Sequence, residues 1–185
     1  MMRAIAAALL SLGVLLPSTA AYALEKQQGF GLDSGLAVLA INGQSAELGI
    51  SYGLHYSYAI TDQFDIVGEL GGAATDLNPI VVPGALAGRP SQLWNGDAGV
   101  LYKIDVVQVV PYFGALAGGY VLYGGSLPSA QVLPGVEVAA GVDYLLSRRW
   151  AVGLAVREHL LFTDLGTYPS YITVNARLEL TWDGP

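Results

Sequence analysis

The sequence predicts an all-β fold, in which eight antiparallel strands close into an up-and-down transmembrane β-barrel. After residue 23, apolar residues recur at every second position rather than with the 3.6-residue period of a helix. Charged residues make up only 12% of the 185 residues, whereas a typical soluble domain has about 25%. The positions between the apolar ones are rich in Gly, Ala and Ser. The length fits one domain.

The first 23 residues are predicted to be a cleaved signal peptide. An apolar stretch, Ala4–Leu16, follows a positive charge near the start, and Ala21–Ala23 places small residues at the two positions that a signal peptidase reads. The stretch is shorter than the roughly 20 residues that span a bilayer, so a retained anchor helix is disfavoured. Cleavage before Leu24 would leave a single barrel domain over residues 24–185.

The clearest alternation lies in the predicted strand Glu47–Ile60. One face carries large apolar residues, namely Leu48, Ile50, Tyr52, Leu54, Tyr56, Tyr58 and Ile60. The other face carries small or polar residues, namely Glu47, Gly49, Ser51, Gly53, His55, Ser57 and Ala59. The final segment, Tyr171–Trp182, alternates in the same way. Such a pattern indicates a strand with a different environment on each side.

Six further strands are predicted between turn signals. They are Phe30–Ile41, Phe64–Ala74, Leu93–Ile104, Val107–Tyr123, Gln131–Leu146 and Trp150–Phe162. Hairpin-type turns are expected at Asn42-Gly43, Thr61-Asp62, residues 105–107, Gly124-Gly125, Ser147-Arg148 and Asp164–Gly166. Thr75–Gln92, rich in Pro and Gly, is the only long connection.

One segment also permits a membrane helix. Val106–Tyr123 is uncharged and 18 residues long, but Pro111 and Gly118-Gly119 interrupt it and valines dominate its start, so a strand is favoured. The alternation here does not decide which face meets lipid. The two candidate sets are Phe113, Ala115 and Ala117, or Tyr112, Gly114 and Leu116.

The same strands could in principle form a soluble sandwich with the apolar faces inside. The low charge leaves too few polar residues to cover such a molecule, and a water-facing surface has no need to be so rich in glycine. Aromatic residues also flank the predicted short turns, as expected for an interfacial girdle. They are Tyr58, Phe64, Tyr102, Tyr144, Trp150 and Trp182, with Trp94 and Phe162 near the opposite rim. Apolar side chains are therefore predicted to face lipid.

Three segments resemble known proteins. PYFGALAGGYVLY at Pro111–Tyr123, SRRWAVGLAVRE at Ser147–Glu158 and ARLELTW at Ala176–Trp182 resemble the OmpA-like and OmpX-like small outer-membrane β-barrels of Gram-negative bacteria. The resemblance implies a location in the cell outer membrane, with its lipids as partners. It also implies that Ala176–Trp182 is recognised by the barrel-assembly machinery.

The alternation directs many ionisable residues into the lumen. They are Asp33, Glu47, His55, Asp65, Glu69, Asp97, Lys103, Glu137, Asp143, Arg157, His159, Arg177 and Glu179. Since buried charges must be paired, a network centred on Arg157 and Arg177 is expected to fill the barrel. The acidic excess also suggests a narrow cation-selective path. A wide porin channel is not expected from eight strands.

A second alternative is enzymatic. His55, Ser57 and Glu69 supply a base, a hydroxyl and a carboxylate, the parts of a hydrolytic triad. Their spacing resembles that of lipid A 3-O-deacylases, which would imply Ser57 as nucleophile, His55 as base and Glu69 as the residue that orients it. The alternation turns Ser57 inward, however, away from the acyl chains. The sequence therefore favours a protein without a catalytic site.

No cofactor, metal or nucleic-acid partner is predicted. There is no cysteine, the two histidines show no ligand spacing, and a net charge of −7 has the wrong sign for binding phosphates. The favoured role is structural, in membrane integrity, or interactive, through outward loops, chiefly Thr75–Gln92. The sequence does not identify an extracellular ligand.

Overall fold

The computed structural model describes residues 26–43, 45–75, 88–104, 108–162 and 165–183. The predicted signal peptide, residues 76–87 of the long connection, the predicted turn at 105–107, and Asp164 lie outside the described residues.

Eight strands form a closed barrel in which each strand pairs antiparallel with the next and the last pairs with the first. Their bounds are β1 Gln27–Ala40, β2 Glu47–Ala59, β3 Phe64–Ala74, β4 Gln92–Lys103, β5 Val109–Tyr123, β6 Gln131–Leu145, β7 Trp150–Leu161 and β8 Ser170–Asp183. The predicted fold class is confirmed. The helical alternative is wrong where it can be compared, since residues 109–123 are a strand. Within the described ranges, no helix has the length and apolar character needed to cross a membrane.

The alternation in sequence becomes an inside and an outside. Leu54, Val174 and Leu178 have 40%, 47% and 41% of their surface exposed, all on the outer face of the barrel. In a soluble protein these side chains would be buried together. Their neighbours on the same strands, such as His55 and Arg177, are buried in the interior. The apolar face is therefore the outer face, as predicted.

The orientation of β5, which the sequence left open, follows from the register. Tyr112 and Leu116 are buried in the lumen, whereas Phe113 is 52% exposed on the outside. Gly118 continues the inward row, and a Cβ there would collide with the backbone of β4. The barrel wall thus permits no side chain at this inward position.

Side chains fill the interior in two apolar groups with a polar middle. The group at the end with the long connections consists of Ala37, Leu39, Ile41, Ala73, Leu93, Tyr120, Leu122, Leu133, Leu161, Tyr168 and Tyr171. A smaller group lines one wall towards the short turns and consists of Val67, Leu101, Tyr112, Leu116, Ala139 and Ala155. Two small cavities in the polar middle each have room for about one water molecule.

The aromatic residues predicted as a girdle lie beside the short turns, on the outer face. The Tyr102 ring lies between Phe64 and Phe113, with ring centroids 5.1 and 5.4 Å away. Near the other rim, Trp94 packs edge-on against Tyr52 at 5.5 Å and donates a hydrogen bond to the Tyr123 hydroxyl at 3.1 Å. Tyr and Trp rings, which have one polar edge, at these two levels match the headgroup regions of a bilayer.

Candidate functional site

The structure places every residue of the predicted lumen network on the inward face. The buried members are Asp33, Glu47, His55, Asp65, Glu69, Asp97, Glu137, Asp143, Arg157, His159, Arg177 and Glu179, and Lys103 is half-buried. Carboxylates outnumber cations among them. Each cation must therefore serve several acids or leave some without a partner.

Arg157, on β7, contacts carboxylates from three other strands. Its Nη2 lies 3.2 Å from Asp33 Oδ2 on β1 and 3.1 Å from Glu69 Oε2 on β3. Its Nε lies 3.2 Å from Glu137 Oε1 on β6, although that pair is not aligned as a hydrogen bond. One guanidinium thus ties together walls on both sides of the lumen.

Arg177, on β8, forms the second centre, nearer the short turns. Its guanidinium lies 4.7 Å above the Tyr112 ring and donates to the Tyr112 hydroxyl. Nη2 lies 2.8 Å from His55 Nε2 and 3.4 Å from Glu179 Oε2. The planar guanidinium can stack and donate at once, which a lysine cannot do.

His55 joins the two centres. Because Arg177 can only donate, His55 Nε2 accepts, and the proton is on Nδ1, which lies 2.7 Å from Asp33 Oδ2. Asp33 Oδ2 also accepts a hydrogen bond from Arg157. Asp33 and the His55 imidazole together therefore link Arg157 to Arg177. This arrangement orients the imidazole but leaves neither ring nitrogen for catalysis.

The structure therefore does not assemble His55, Ser57 and Glu69 as the predicted hydrolytic triad. The Ser57 hydroxyl donates to Glu179 at 3.1 Å rather than to His55. Glu69 pairs with Arg157 instead of orienting the imidazole. Ser57 is also buried, so an acyl chain in the membrane cannot reach it. The physical reason is that His55, Ser57 and Glu69 each have a nearer partner on another strand, namely Asp33 on β1, Glu179 on β8 and Arg157 on β7.

Ion pairs also occur near both ends of the barrel. Lys103 and Asp65 are paired towards the short turns. At the other end, Arg89 Nε lies 2.9 Å from Glu47 Oε1. Arg89 was not predicted as a site residue because it lies in a connection, where no alternation shows which way a side chain points. The signal that could have found it is its position, three residues before a strand of an acidic barrel.

Uncharged polar side chains complete the network and were also missed. Ser51 donates to Asn175, and Asn175 Nδ2 donates to Thr173 at 3.2 Å. Asn95 Nδ2 donates to Asp97 at 2.6 Å. The alternation places all of them on the lumen face, so their inward orientation was enough to identify them as members of the network.

Glu158 falls on the outer face, where an isolated carboxylate is unfavourable. Its register with Val138 and Ile172 is unbroken, so no bulge turns it inward. Instead, it accepts a 2.6 Å hydrogen bond from Ser170, the first residue of β8, at the end with the long connections. The half-buried carboxylate thus lies close to the rim and has a partner there.

A closed eight-stranded antiparallel barrel with an apolar exterior and a charged, filled interior defines the class of small membrane β-barrels. Among solved structures, the chain is similar to neisserial surface protein A (NspA), with 16% identity and a TM-score of 0.65 over 83% of this chain and 96% of that one. The N-terminal barrel of Pseudomonas aeruginosa OprF gives 10% and 0.62 over 87% and 100%. Ail of Yersinia pestis, the attachment invasion locus protein, gives 12% and 0.56 over 85% and 99%.

These structures show the fold, which is that of the small outer-membrane β-barrels. No protein-family model and no curated protein sequence matches the chain.

Proposed function

We propose that this protein is a non-enzymatic barrel of the Gram-negative outer membrane, with a plugged lumen and a structural or surface-interaction role. The observation that carries the proposal is that Arg157 contacts Glu69 across the lumen and also Asp33 and Glu137 on nearer strands. A lumen filled by paired charges stabilises a barrel but offers no wide path through it. The lipids of the outer membrane are then the main partner of the apolar outer face of the barrel.

Export and assembly belong to the same proposal. Removal of residues 1–23 by a signal peptidase would release a barrel domain beginning at Leu24. Ala176–Trp182, the C-terminal part of β8, alternates regularly and would be the segment that the barrel-assembly machinery recognises. N-terminal sequencing of protein purified from the envelope tests the first point, and a start other than Leu24 would contradict the predicted cleavage.

Membrane fractionation combined with heat-modifiable migration in detergent gels tests the barrel in the outer membrane. The expected result is an outer-membrane protein whose unheated form migrates differently from its boiled form. Replacing Trp182 by Ala should reduce the folded form in cells if the last strand guides assembly. A heat-insensitive species in the soluble fraction would overturn the proposal.

The cation pathway is the remaining alternative for the lumen. Its support is the acidic excess and the two water-sized cavities, but Arg157 and Glu69 line both of these and stand between them. An ion passing here would have to break paired buried charges. We therefore expect no conductance steps from the purified barrel in a planar bilayer. Cation-selective conductance steps that are present only with the protein would contradict the plugged lumen and show that it is a pore.

A further inference from the structure

Three ligand-type side chains converge in the polar lumen on the β4, β6 and β7 side, next to Arg157. Asp97, Glu137 and His159 each offer an atom within 4.8 Å of the others. Glu137 and His159 lie 40 and 62 positions after Asp97 in the sequence, on β6, β7 and β4 respectively, so only the fold brings the three together. All three are more than nine-tenths buried.

The register explains how they meet. Glu137 and His159 are directly opposite each other on β6 and β7. Asp97 is opposite Gly118 on β5, and Gly118 is opposite Gly135 on β6. A Cβ at Gly118 would collide with the Asp97 carboxylate. Because position 118 on β5 is a glycine, it leaves the space through which Asp97 faces Glu137 and His159.

The three side chains carry polar atoms that the protein does not satisfy. Among the described residues, Asp97 Oδ1, both carboxylate oxygens of Glu137 and His159 Nε2 are buried without a hydrogen-bond partner. Glu137 Oε1 has Arg157 Nε at 3.2 Å and Oε2 has His159 Nδ1 at 3.5 Å, but neither contact is aligned as a hydrogen bond. Burying such atoms without a partner is unfavourable, most of all for a charged group. Four of the eight such atoms among the described residues belong to these three side chains, and this concentration points to a ligand.

The remaining contacts hold the ligand set in position. The His159 ring stacks on Tyr171 with centroids 4.5 Å apart, and its Nδ1 lies 3.1 Å from the Tyr120 hydroxyl. The other carboxylate oxygen of Asp97, Oδ2, accepts a 2.6 Å hydrogen bond from the Asn95 amide. A hydrogen bond on the second atom of a ligating group is the usual way in which proteins orient it.

We propose that Asp97, Glu137 and His159 bind a divalent transition-metal ion of the Zn²⁺ or Mn²⁺ type. One imidazole with two carboxylates suits such ions, whereas Mg²⁺ and Ca²⁺ prefer oxygen ligands alone. Two carboxylates also balance a charge of +2, while Arg157, which borders Glu137, has Asp33 and Glu69 as its own partners. With metal–ligand distances of about 2.0–2.2 Å, the ligand atoms must close to about 4 Å or less, which needs only a small side-chain movement. The ion would join β4 to β6 and β7.

The two histidines provide a direct measurement on the unaltered protein. His159 belongs to the proposed site, while His55 is held by Asp33 and Arg177. In ¹⁵N-histidine-labelled barrel refolded with Zn²⁺, we expect the ring nitrogen signals of one histidine to shift and those of the other to stay. His159→Gln assigns the shifted signal. A shift of the His55 signals alone, or of neither histidine, would overturn the proposal.

Metal content supplies the second measurement. Barrel refolded with Zn²⁺ and passed through a chelating column should retain one ion, and His159→Gln and Glu137→Gln should weaken retention at least about tenfold. Asp143→Asn is the matched control, since it removes another buried lumen carboxylate near Arg177 and should retain zinc. Heat-modifiable migration verifies that each variant is folded. Zinc retained by folded His159→Gln, or absent from the wild type, contradicts the site while leaving the proposed structural role unaffected.

Discussion

Arg157 and Glu69 lie on opposite walls of the barrel, yet their side chains meet at 3.1 Å. Strand β7 is four strands away from β3 in either direction around the eight-stranded barrel. The contact therefore spans the lumen rather than following the wall. A barrel of this width brings opposite side chains into contact, so cross-lumen pairs join strands that share no backbone hydrogen bond.

Replacing Arg157 with Ala should strongly destabilise the barrel. Glu69 and Glu137 would lose the guanidinium that faces them and would remain buried. Breaking a buried ion pair by removing one partner typically lowers the free energy of unfolding by about 3–5 kcal/mol. Urea-induced unfolding in lipid vesicles, followed by tryptophan fluorescence, measures the change.

The matched control is Arg149→Ala, which removes the same side chain from an exposed turn. A change of about 0.5 kcal/mol or less is expected there. Equal effects of the two substitutions would mean that the cross-lumen pairs contribute no more than a surface charge.

Two adjacent glycines on β5 test the assigned orientation of that strand. Gly118 faces the lumen, where a Cβ would lie 2.7 Å from the Asp97 Cα, while nothing lies within 4 Å of a Cβ at Gly119. Gly118→Ala should therefore lower the free energy of unfolding by about 1–3 kcal/mol through overpacking. Gly119→Ala should be nearly neutral. The reverse order, measured in the same urea titration, would show that β5 faces the other way.

The sequence was sufficient to predict which side chains point into the lumen, but not which of them contact each other. Alternation placed His55, Arg157 and Arg177 inside because the side-chain period of a strand is two. It could not show that His55 meets Asp33 and Arg177, because that depends on stagger between strands and on contacts across the lumen. The predicted triad is not assembled for this reason, since it assumed that nearby positions in sequence share a site.

Two further features show the same limit. On β5 both faces contain Gly, Ala and large residues, so only the register with β4 and β6 decides the orientation. For His159, local spacing gave no metal signal, because Asp97 and Glu137 come from other strands. A motif search detects ligands along one segment, whereas a barrel assembles them around its circumference.

The outer face should tolerate charge according to depth. Leu70, near the middle of β3, is 62% exposed, and Val132, at the long-connection end of β6, is 73% exposed. Leu70→Arg should lower stability in a bilayer by about 2–4 kcal/mol, whereas Val132→Arg should lower it by about 0–1 kcal/mol. Folding yield and urea unfolding in vesicles report both. Equal tolerance of Arg at the two positions would contradict a lipid-facing middle.

The Ser57 hydroxyl should matter for stability and not for lipid chemistry. It donates to Glu179, so Ser57→Ala should lower the free energy of unfolding by about 1.5–3 kcal/mol, the range for hydrogen bonds to charged groups. Mass spectrometry of lipid A from cells with the wild type, Ser57→Ala or an empty vector should give the same acylation pattern. If the wild type removed an acyl chain and Ser57→Ala restored it, the buried pairs of His55 would have to rearrange in the membrane, and the protein would be an enzyme.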